Sequence, residues 1–266
     1  MSELSKRVLF AVPAAFLVLA VTWFGGLPFE LLMGIIALFT IWEVHRIVSA
    51  AKSPDYFGLS IFLGITFWLM PVLPEAIVLA ISTVLLLVTI WAILDKKTVE
   101  SGRWISSLFT GIYAPFGFLM IVHIRNLGID LDGFWLTLTF FLMIWGNDIF
   151  AYFGGKTFGK RPLAPNISPK KTVEGFLFGF LGSAVGFLLV YLLADPHPLN
   201  LWHLPVAVVI TGIFGPLGDI SASKLKRLAD MKDSSSLLPG HGGLFDRFDS
   251  MILSAPFIFF YFYLLI

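Results

Sequence analysis

The chain has 266 residues, of which 58% are hydrophobic and only 13% are charged. Soluble domains carry about 25% charged residues, so this composition excludes an ordinary soluble protein and indicates a polytopic membrane protein. The chain contains no cysteine, which excludes disulfide bonds, thiolate metal sites and cysteine nucleophiles.

Nine apolar stretches approach or reach the length of about 20 residues that crosses a bilayer as a helix. Backbone groups in lipid must be bonded within their own segment, so each stretch is predicted to be an α-helix. We predict an all-α protein with a single integral-membrane domain over residues 1–266, in which five spans precede a region at 134–266 that carries the polar motifs described below. The predicted spans are 8–24, 27–42, 58–73, 76–94, 104–122, 134–153, 175–194, 204–220 and 250–266.

The distribution of lysine and arginine predicts how these spans are oriented. With the amino terminus in the cytoplasm, all but one of the 18 lysines and arginines face the cytoplasm, and only Arg125 lies outside. The carboxyl terminus is then outside, and the two long polar segments, 154–174 and 221–249, are cytoplasmic. We therefore expect any active site to face the cytoplasm. If the protein is bacterial, the membrane is the inner membrane. Glu43, near the inner end of the second span, is interpreted as an interface residue.

The first polar segment follows an acidic residue, Asp148, late in the sixth span. An acid at the centre of a membrane helix costs roughly 2.5–3.5 kcal/mol on insertion scales, and such acids are functional candidates. Further along, Ser168 before Pro169 is typical of a helix N-cap and first helical position. Lys170 and Lys171 beside that helix terminus would favour an anion. The competing interpretation is an interfacial acid with ordinary basic flanks.

The second polar segment combines groups that suit phosphate with groups that suit a metal ion. Hydroxyl, ammonium and guanidinium groups bind phosphate oxygens, and carboxylates suit Mg²⁺, which is shared with substrate phosphates. The residues concerned are Asp219, Ser223, Lys226, Arg227, Lys232, Asp246 and Asp249. Ser223 shares a helix face with Lys226 or Arg227, and the loop at 239–243 is rich in glycine. The competing interpretation is a basic loop next to the membrane, which would explain the lysines and the arginine but not the aspartates.

The fixed positions of this segment form a long pattern at defined spacing. They are Ser223, Lys226, Arg227, Lys232, Asp233, His241, Gly242, Gly243, Asp246, Arg247 and Asp249. The pattern resembles the signature of the phosphatidate cytidylyltransferases, also called CDP-diacylglycerol synthases. The stretch from Asn147 to Gly175 is also similar, with Val173 where that family often has an aromatic residue. The first five spans resemble the family only in being hydrophobic.

The resemblance implies that CTP and phosphatidate react to give CDP-diacylglycerol and pyrophosphate, with Mg²⁺ as the cofactor. The lipid phosphate would attack the α-phosphorus of CTP in line, and the protein would supply positioning and charge neutralisation. We expect CTP, phosphatidate and membrane lipid as partners and no nucleic acid. A homodimer is an expectation at the level of the family.

On this resemblance, roles can be assigned to individual residues. The predicted catalytic residues are Asp219, Ser223, Lys226, Arg227 and Asp246. The predicted substrate-binding residues are Lys170, Lys171, Lys232, His241, Gly242, Gly243 and Arg247. The predicted metal ligands are Asp219, Asp246 and Asp249, with Asp148 holding a second cation whose identity the sequence does not reveal.

Two other functions remain open at this point. A CTP-dependent lipid kinase of the polyprenol or phytol type would transfer the γ-phosphoryl group to an alcohol and release CDP. An ion-coupled transporter would use Asp148 and Asp219 as intramembrane ion sites, with acids near the middle of the bilayer and pseudo-symmetric halves. The gathering of polar groups on one side disfavours the transporter, and the reaction products would distinguish the two enzymes.

Overall fold

The structure, a computed structural model, describes residues 3–94, 98–195, 197–238, 240 and 242–266. In these ranges the α-helices are α1 Glu3–Phe24, α2 Gly26–Ala50, α3 Phe57–Leu69, α4 Glu75–Leu94, α5 Thr98–Arg125, α6 Asp132–Phe158, α7 Val173–Leu193, α8 Leu204–Leu228 and α9 Phe245–Tyr263. Short 3₁₀ turns lie at Met70–Val72 and Leu201–His203. One antiparallel hairpin, β1 Pro162–Ala164 with β2 Ser168–Thr172, precedes α7.

The helices account for the apolar character of the chain. In the described part of the chain, five helical segments are long and apolar enough to cross a membrane. They are Gly26–Ala50, Gly102–Arg125, Asp132–Phe158, Val173–Leu193 and Leu201–Leu228. Shorter apolar helical segments are Val12–Phe24, Phe57–Val72 and Glu75–Leu87. The chain is therefore an all-α membrane protein apart from its small hairpin, and every predicted span overlaps a helix.

Several helices run beyond the predicted spans into polar sequence. The second predicted span ends at residue 42, whereas α2 continues to Ala50, and α8 continues from the predicted end at 220 to Leu228. The last helix begins at Phe245 rather than at 250. Hydropathy ends where charges begin, but lysine, arginine and glutamate are good helix formers, so the helix itself continues. Many polar residues of the candidate site are consequently held on rigid helices.

The predicted N-cap at Ser168 is wrong. Ser168 lies in β2, where it pairs with Ala164, and α7 begins five residues later at Val173. Thr172 is the N-cap, and its Oγ1 accepts a hydrogen bond from the Gly175 N–H at 3.1 Å. The hairpin overrides the local Ser-Pro signal because a proline is tolerated in the edge strand of a two-stranded sheet.

Glycine allows two helix pairs to approach closely, as in other membrane bundles. A Cβ atom at Gly146 of α6 would lie 2.3 Å from the carbonyl oxygen of Gly182 on α7. A Cβ atom at Gly218 of α8 would lie 2.4 Å from the carbonyl oxygen of Asp249 on α9. Because α8 and α9 touch at this point, Asp219 and Asp249 are brought to the same region of the protein.

Most of the largest buried side chains belong to α5 and to the helices that pack against it. Phe118 and Ile121 of α5 are fully buried, and they belong to one apolar cluster with Met33 of α2, Phe140 of α6 and Ile258 of α9. This core joins the amino-terminal helices to the carboxyl-terminal ones, so the polar segment before α9 is attached to a single packed body.

Candidate active site

A polar cavity of about 270 Å³ lies where α6, α8 and α9 meet the connection between α8 and α9. It is lined by Asp148, Asp219, Lys226, Asp233, Asp246, Arg247, Asp249 and Ser250. The structure thus brings together all four predicted metal ligands, one predicted catalytic cation and one predicted substrate-binding arginine. The other cavities described for this chain are lined mainly by apolar side chains.

Two lysines contact two of the aspartates directly. The Nζ of Lys226 donates to Asp246 Oδ1, and the Nζ of Lys171 donates to Asp219 Oδ2. Ser223 donates from Oγ to the other oxygen of Asp219 at 3.2 Å. The two polar segments of the sequence therefore meet, because Lys171 comes from β2 and Asp219 from α8.

The hairpin before α7 positions Lys171. Its two strands are paired, and the Val173 N–H donates to the Arg161 carbonyl oxygen at 2.9 Å, so the strands continue directly into the helix. Glu174 Oε2 accepts the backbone N–H groups of Lys160 and Arg161 at 2.9 and 3.2 Å. Lys171 is thereby carried on a short rigid element instead of a free loop.

Asp246 is the most fully bonded carboxylate of the cavity. Its Oδ2 accepts the backbone N–H of Ser234 at 2.8 Å and the Gly243 N–H at 3.0 Å, and it lies 3.0 Å from the Ser234 hydroxyl. Burial alone would raise the pKa of Asp246, but the hydrogen bond and charge of Lys226, with the N–H donors of Gly243 and Ser234, hold that pKa below its usual value. Asp246 is therefore a carboxylate at neutral pH.

Three other carboxylates face each other across the cavity. Asp148, Asp219 and Asp249 repel one another electrostatically, and Lys171, Lys226 and Arg247 partly offset that repulsion. Within the described ranges, no three acidic or histidine side chains form a ready-made metal cluster. Mg²⁺ is usually held by one or two carboxylates, waters and substrate phosphates rather than by a complete protein cage. The donor set fits a cation shared with a phosphate ligand.

Some predicted site residues lie away from the cavity. Arg227 is exposed, and its Nη1 donates to the carbonyl oxygen of Met231 at 2.8 Å, so it does not share the inward face of Lys226. Lys170 and Lys232 are exposed and do not line the cavity. His241 lies outside the described residues.

The two predicted substrate-binding glycines have structural reasons of their own. Gly242 has a φ of +81°, which side-chain-bearing residues rarely adopt. A Cβ atom at Gly243 would lie 2.0 Å from Ser234 Oγ and 2.3 Å from Glu43 Oε1. The Gly243 N–H is already donated to Asp246, so this glycine shapes the carboxylate site.

Sequence reasoning gave no role in the site to four residues of this region: Glu43, Asp233, Ser234 and Ser250, although Asp233 is a fixed position of the signature. Asp233 and Ser250 line the cavity, and each directly follows a predicted site residue in the chain. Interpreting Glu43 as an interface residue was wrong, because its exposed fraction is 0%. The signal available in the sequence was a carboxylate at position 43, just after the apolar stretch ends and seven residues before the end of α2.

Comparison with known proteins places the chain in a family. The family model described as the cytidylyltransferase family matches residues 5–265. The chain belongs to this family. It is 35% identical to the phosphatidate cytidylyltransferase of Bacillus subtilis (strain 168), over 98% of both chains. It is 31% identical to the protein of that name from Staphylococcus haemolyticus (strain JCSC1435), over 95% of this chain and 96% of the relative.

A relative from another bacterium provides a similar match. The chain is 32% identical to the phosphatidate cytidylyltransferase of Brucella abortus (strain 2308), over 97% of this chain and 93% of the relative. The likeness therefore extends well beyond the segment at 147–249, and includes the amino-terminal helices.

Proposed function

We propose that this protein is a phosphatidate cytidylyltransferase. It transfers the cytidylyl group of CTP to phosphatidate and releases pyrophosphate, which yields CDP-diacylglycerol. The full-length family membership supports the reaction class. The observation that carries the proposal is the polar cavity, where five aspartates meet Lys226 and Arg247 at the end of apolar helices.

The reaction needs no covalent intermediate with the protein. A phosphate oxygen of the lipid forms a bond to the α-phosphorus of CTP, and the bond from that phosphorus to the bridging oxygen of pyrophosphate breaks. Both reactants are polyanions, so the protein must hold them close and neutralise their charge. Lys226 and Arg247 line the cavity, and Lys171 reaches it through Asp219. These cations would bind the phosphates, with Ser223 as a hydroxyl donor.

Asp219, Asp246 and Asp249 would hold Mg²⁺, and Asp148 would hold a second cation. The metal would supply charge neutralisation of the phosphates on which the reaction depends. Without a cation the aspartates would repel incoming phosphate groups, which explains why acidic and basic groups are combined in one cavity. Phosphate oxygens would compete with Asp219 and Asp246 for Lys171 and Lys226, their partners in the structure.

The proposed topology has nine crossings, with the amino terminus in the cytoplasm and the carboxyl terminus outside. The distribution of lysine and arginine supports it. The cavity then opens at the cytoplasmic face, in the inner membrane if the organism is a bacterium. CTP would arrive from the cytosol and phosphatidate laterally from the bilayer. The homodimer expected from the family belongs to the same proposal.

The test is an assay of purified protein in detergent with phosphatidic acid and CTP labelled on the α-phosphate. The expected result is label in a lipid product and release of unlabelled pyrophosphate. A lipid kinase would instead leave the label in CDP and require an alcohol acceptor. Absence of any labelled lipid from active, folded protein with Mg²⁺ present would refute the proposal.

A further inference from the structure

Glu43 of α2 is a fully buried carboxylate that contacts the segment before α9, about two hundred positions later in the chain. Its Oε1 accepts the Ser235 hydroxyl at 2.5 Å and the Leu244 N–H at 3.0 Å. Its Oε2 accepts the Phe245 N–H at 2.6 Å and lies 3.1 Å from the Ser234 hydroxyl, whose single proton can be donated either to Glu43 or to Asp246. All four donors belong to the segment at 234–245, two at its beginning and two at its end.

This arrangement requires a carboxylate at position 43. Each oxygen faces one backbone N–H, and a backbone N–H cannot turn round to accept a hydrogen bond. A glutamine amide has one oxygen and one NH₂ group, so either orientation would set a donor against the N–H of Leu244 or Phe245. None of the contacts to Glu43 in the described ranges comes from a basic side chain.

Glu43 also takes the place of an N-cap for α9. The residue at the N-cap position of that helix, Leu244, has no side-chain oxygen to accept the first N–H groups. Helix amino termini leave such groups without partners and favour negative charge. Glu43 supplies both the acceptors and the charge from a different helix, so α2 determines where α9 begins.

The segment that Glu43 holds also contains the donors to Asp246. The Ser234 hydroxyl lies within hydrogen-bonding distance of both Glu43 and Asp246, and the Ser234 and Gly243 N–H groups donate to Asp246. Gly243 packs so closely against Glu43 that it has no room for a side chain. The orientation of Asp246 towards Lys226 therefore depends on the position of Glu43.

We propose that Glu43 is a positioning residue for cytidylyl transfer, an anchor that fixes residues 234–235 and 243–245 and thereby holds Asp246 in the cavity. The catalytic part of this inference rests on the proposed function. The structural part, that Glu43 immobilises the segment, stands without it. Glu43 does not line the cavity, so it acts through Asp246 and not on the substrate.

The experiment compares Glu43→Gln with Asp55→Asn in the full-length protein. Asp55 is a matched control, since it is also a buried carboxylate near the end of α2 and is bonded by His45 and Ser60, both at 2.5 Å, rather than by the 234–245 segment. Hydrogen–deuterium exchange of peptides from 234–245 measures the anchor. The kcat and KM for CTP, normalised to folded protein, measure its catalytic consequence.

In Glu43→Gln we expect exchange in this segment to accelerate at least about tenfold, as for the loss of a hydrogen bond to a charged group. We expect kcat to fall at least about tenfold with a smaller change in KM for CTP, because Asp246 would hold the cation that neutralises the reacting phosphates. Asp55→Asn should leave both measurements near wild type at a comparable loss of thermal stability. Glu43→Asp, which keeps the charge but has a shorter reach, should fall between wild type and Glu43→Gln.

If hydrogen–deuterium exchange of the 234–245 peptides is as slow in Glu43→Gln as in the wild-type protein, Glu43 is not an anchor. If kcat falls equally in Glu43→Gln and Asp55→Asn, Glu43 is not a positioning residue. If Glu43→Gln does not fold, Ser235→Ala takes its place, since it removes one donor to Oε1 and leaves the backbone contacts. Unchanged exchange and turnover in Ser235→Ala would then refute the proposal. A wild-type protein that lacks cytidylyltransferase activity but shows the exchange effect would refute the proposed function and leave the anchor standing.

Discussion

Lys226 and Asp246 form a buried ion pair, and removing one partner should destabilise the protein far more than removing both. Their side chains are 10% and 5% exposed. Breaking such a pair costs about 3–5 kcal/mol because a charge is left buried without compensation. Asp246 keeps the backbone N–H donors of Ser234 and Gly243, so we expect Lys226→Met to lie at the lower end, about 3 kcal/mol. That corresponds to a decrease in Tm of roughly 6–12 °C for a chain of this size.

The assay is thermal unfolding in detergent with a chelator present, so that the two residues are compared without a metal ion. The double variant Lys226→Met with Asp246→Asn should recover most of the lost stability, because no charge is then left unpaired.

Since the pKa of Asp246 is lowered by the pair, the pair's stabilisation is complete above about pH 4 and is lost as pH falls through that lowered pKa. The gap between wild type and Lys226→Met should therefore narrow in acid. Two results would refute this reasoning. One is a free energy of unfolding of Lys226→Met within about 1 kcal/mol of wild type, as expected for an exposed pair. The other is a double variant that recovers none of the lost stability.

Three further predictions concern the site and the topology. Asp246→Asn should lower turnover at least about a hundredfold while the protein still inserts and folds, since it removes a carboxylate that would hold the cation at the reacting phosphates; activity near wild type would exclude Asp246 from the metal site. Gly243→Ala should lower both activity and Tm because its methyl group would overlap Ser234 and Glu43, whereas the control Gly58→Ala, with nothing within 4 Å, should be neutral or stabilising. In intact cells Asn200→Cys should react with an impermeant thiol reagent and Ser236→Cys only after permeabilisation, and the reverse pattern would contradict the proposed topology.

The helical framework could be predicted because hydropathy reports it directly. Each apolar stretch must be helical in lipid, and the polar residues between the stretches mark the candidate site. The i, i+3 spacing of Asp246 and Asp249 places two carboxylates on one face of α9, and both line the cavity. The start of α7 was missed because the Ser168–Pro169 signal is local, whereas the pairing of β2 with β1 that overrides it is not.

The spacing of residues along the chain could not predict which cationic side chain points into the cavity. Lys226 and Arg227 are adjacent and chemically alike, yet one is buried against Asp246 and the other is exposed and donates to Met231. Successive residues of a helix point about 100° apart, so only one of the two can face the cavity. The sequence indicates that cations are needed there, and helix packing selects which one enters.

The contact between Glu43 and the segment before α9 could not have been found from any local pattern. Its partners lie on one short segment near the other end of the chain, and two of the four are backbone N–H groups, which leave no trace in residue identity. The contact has a consequence for how the protein is organised. The signature from Ser223 to Asp249 is not a self-contained module, because the helix that carries Asp246 and Asp249 is capped by α2. The amino-terminal helices therefore do more than anchor the chain in the membrane, and a fragment beginning at residue 134 should lack a correctly formed carboxylate site even if its helices assemble.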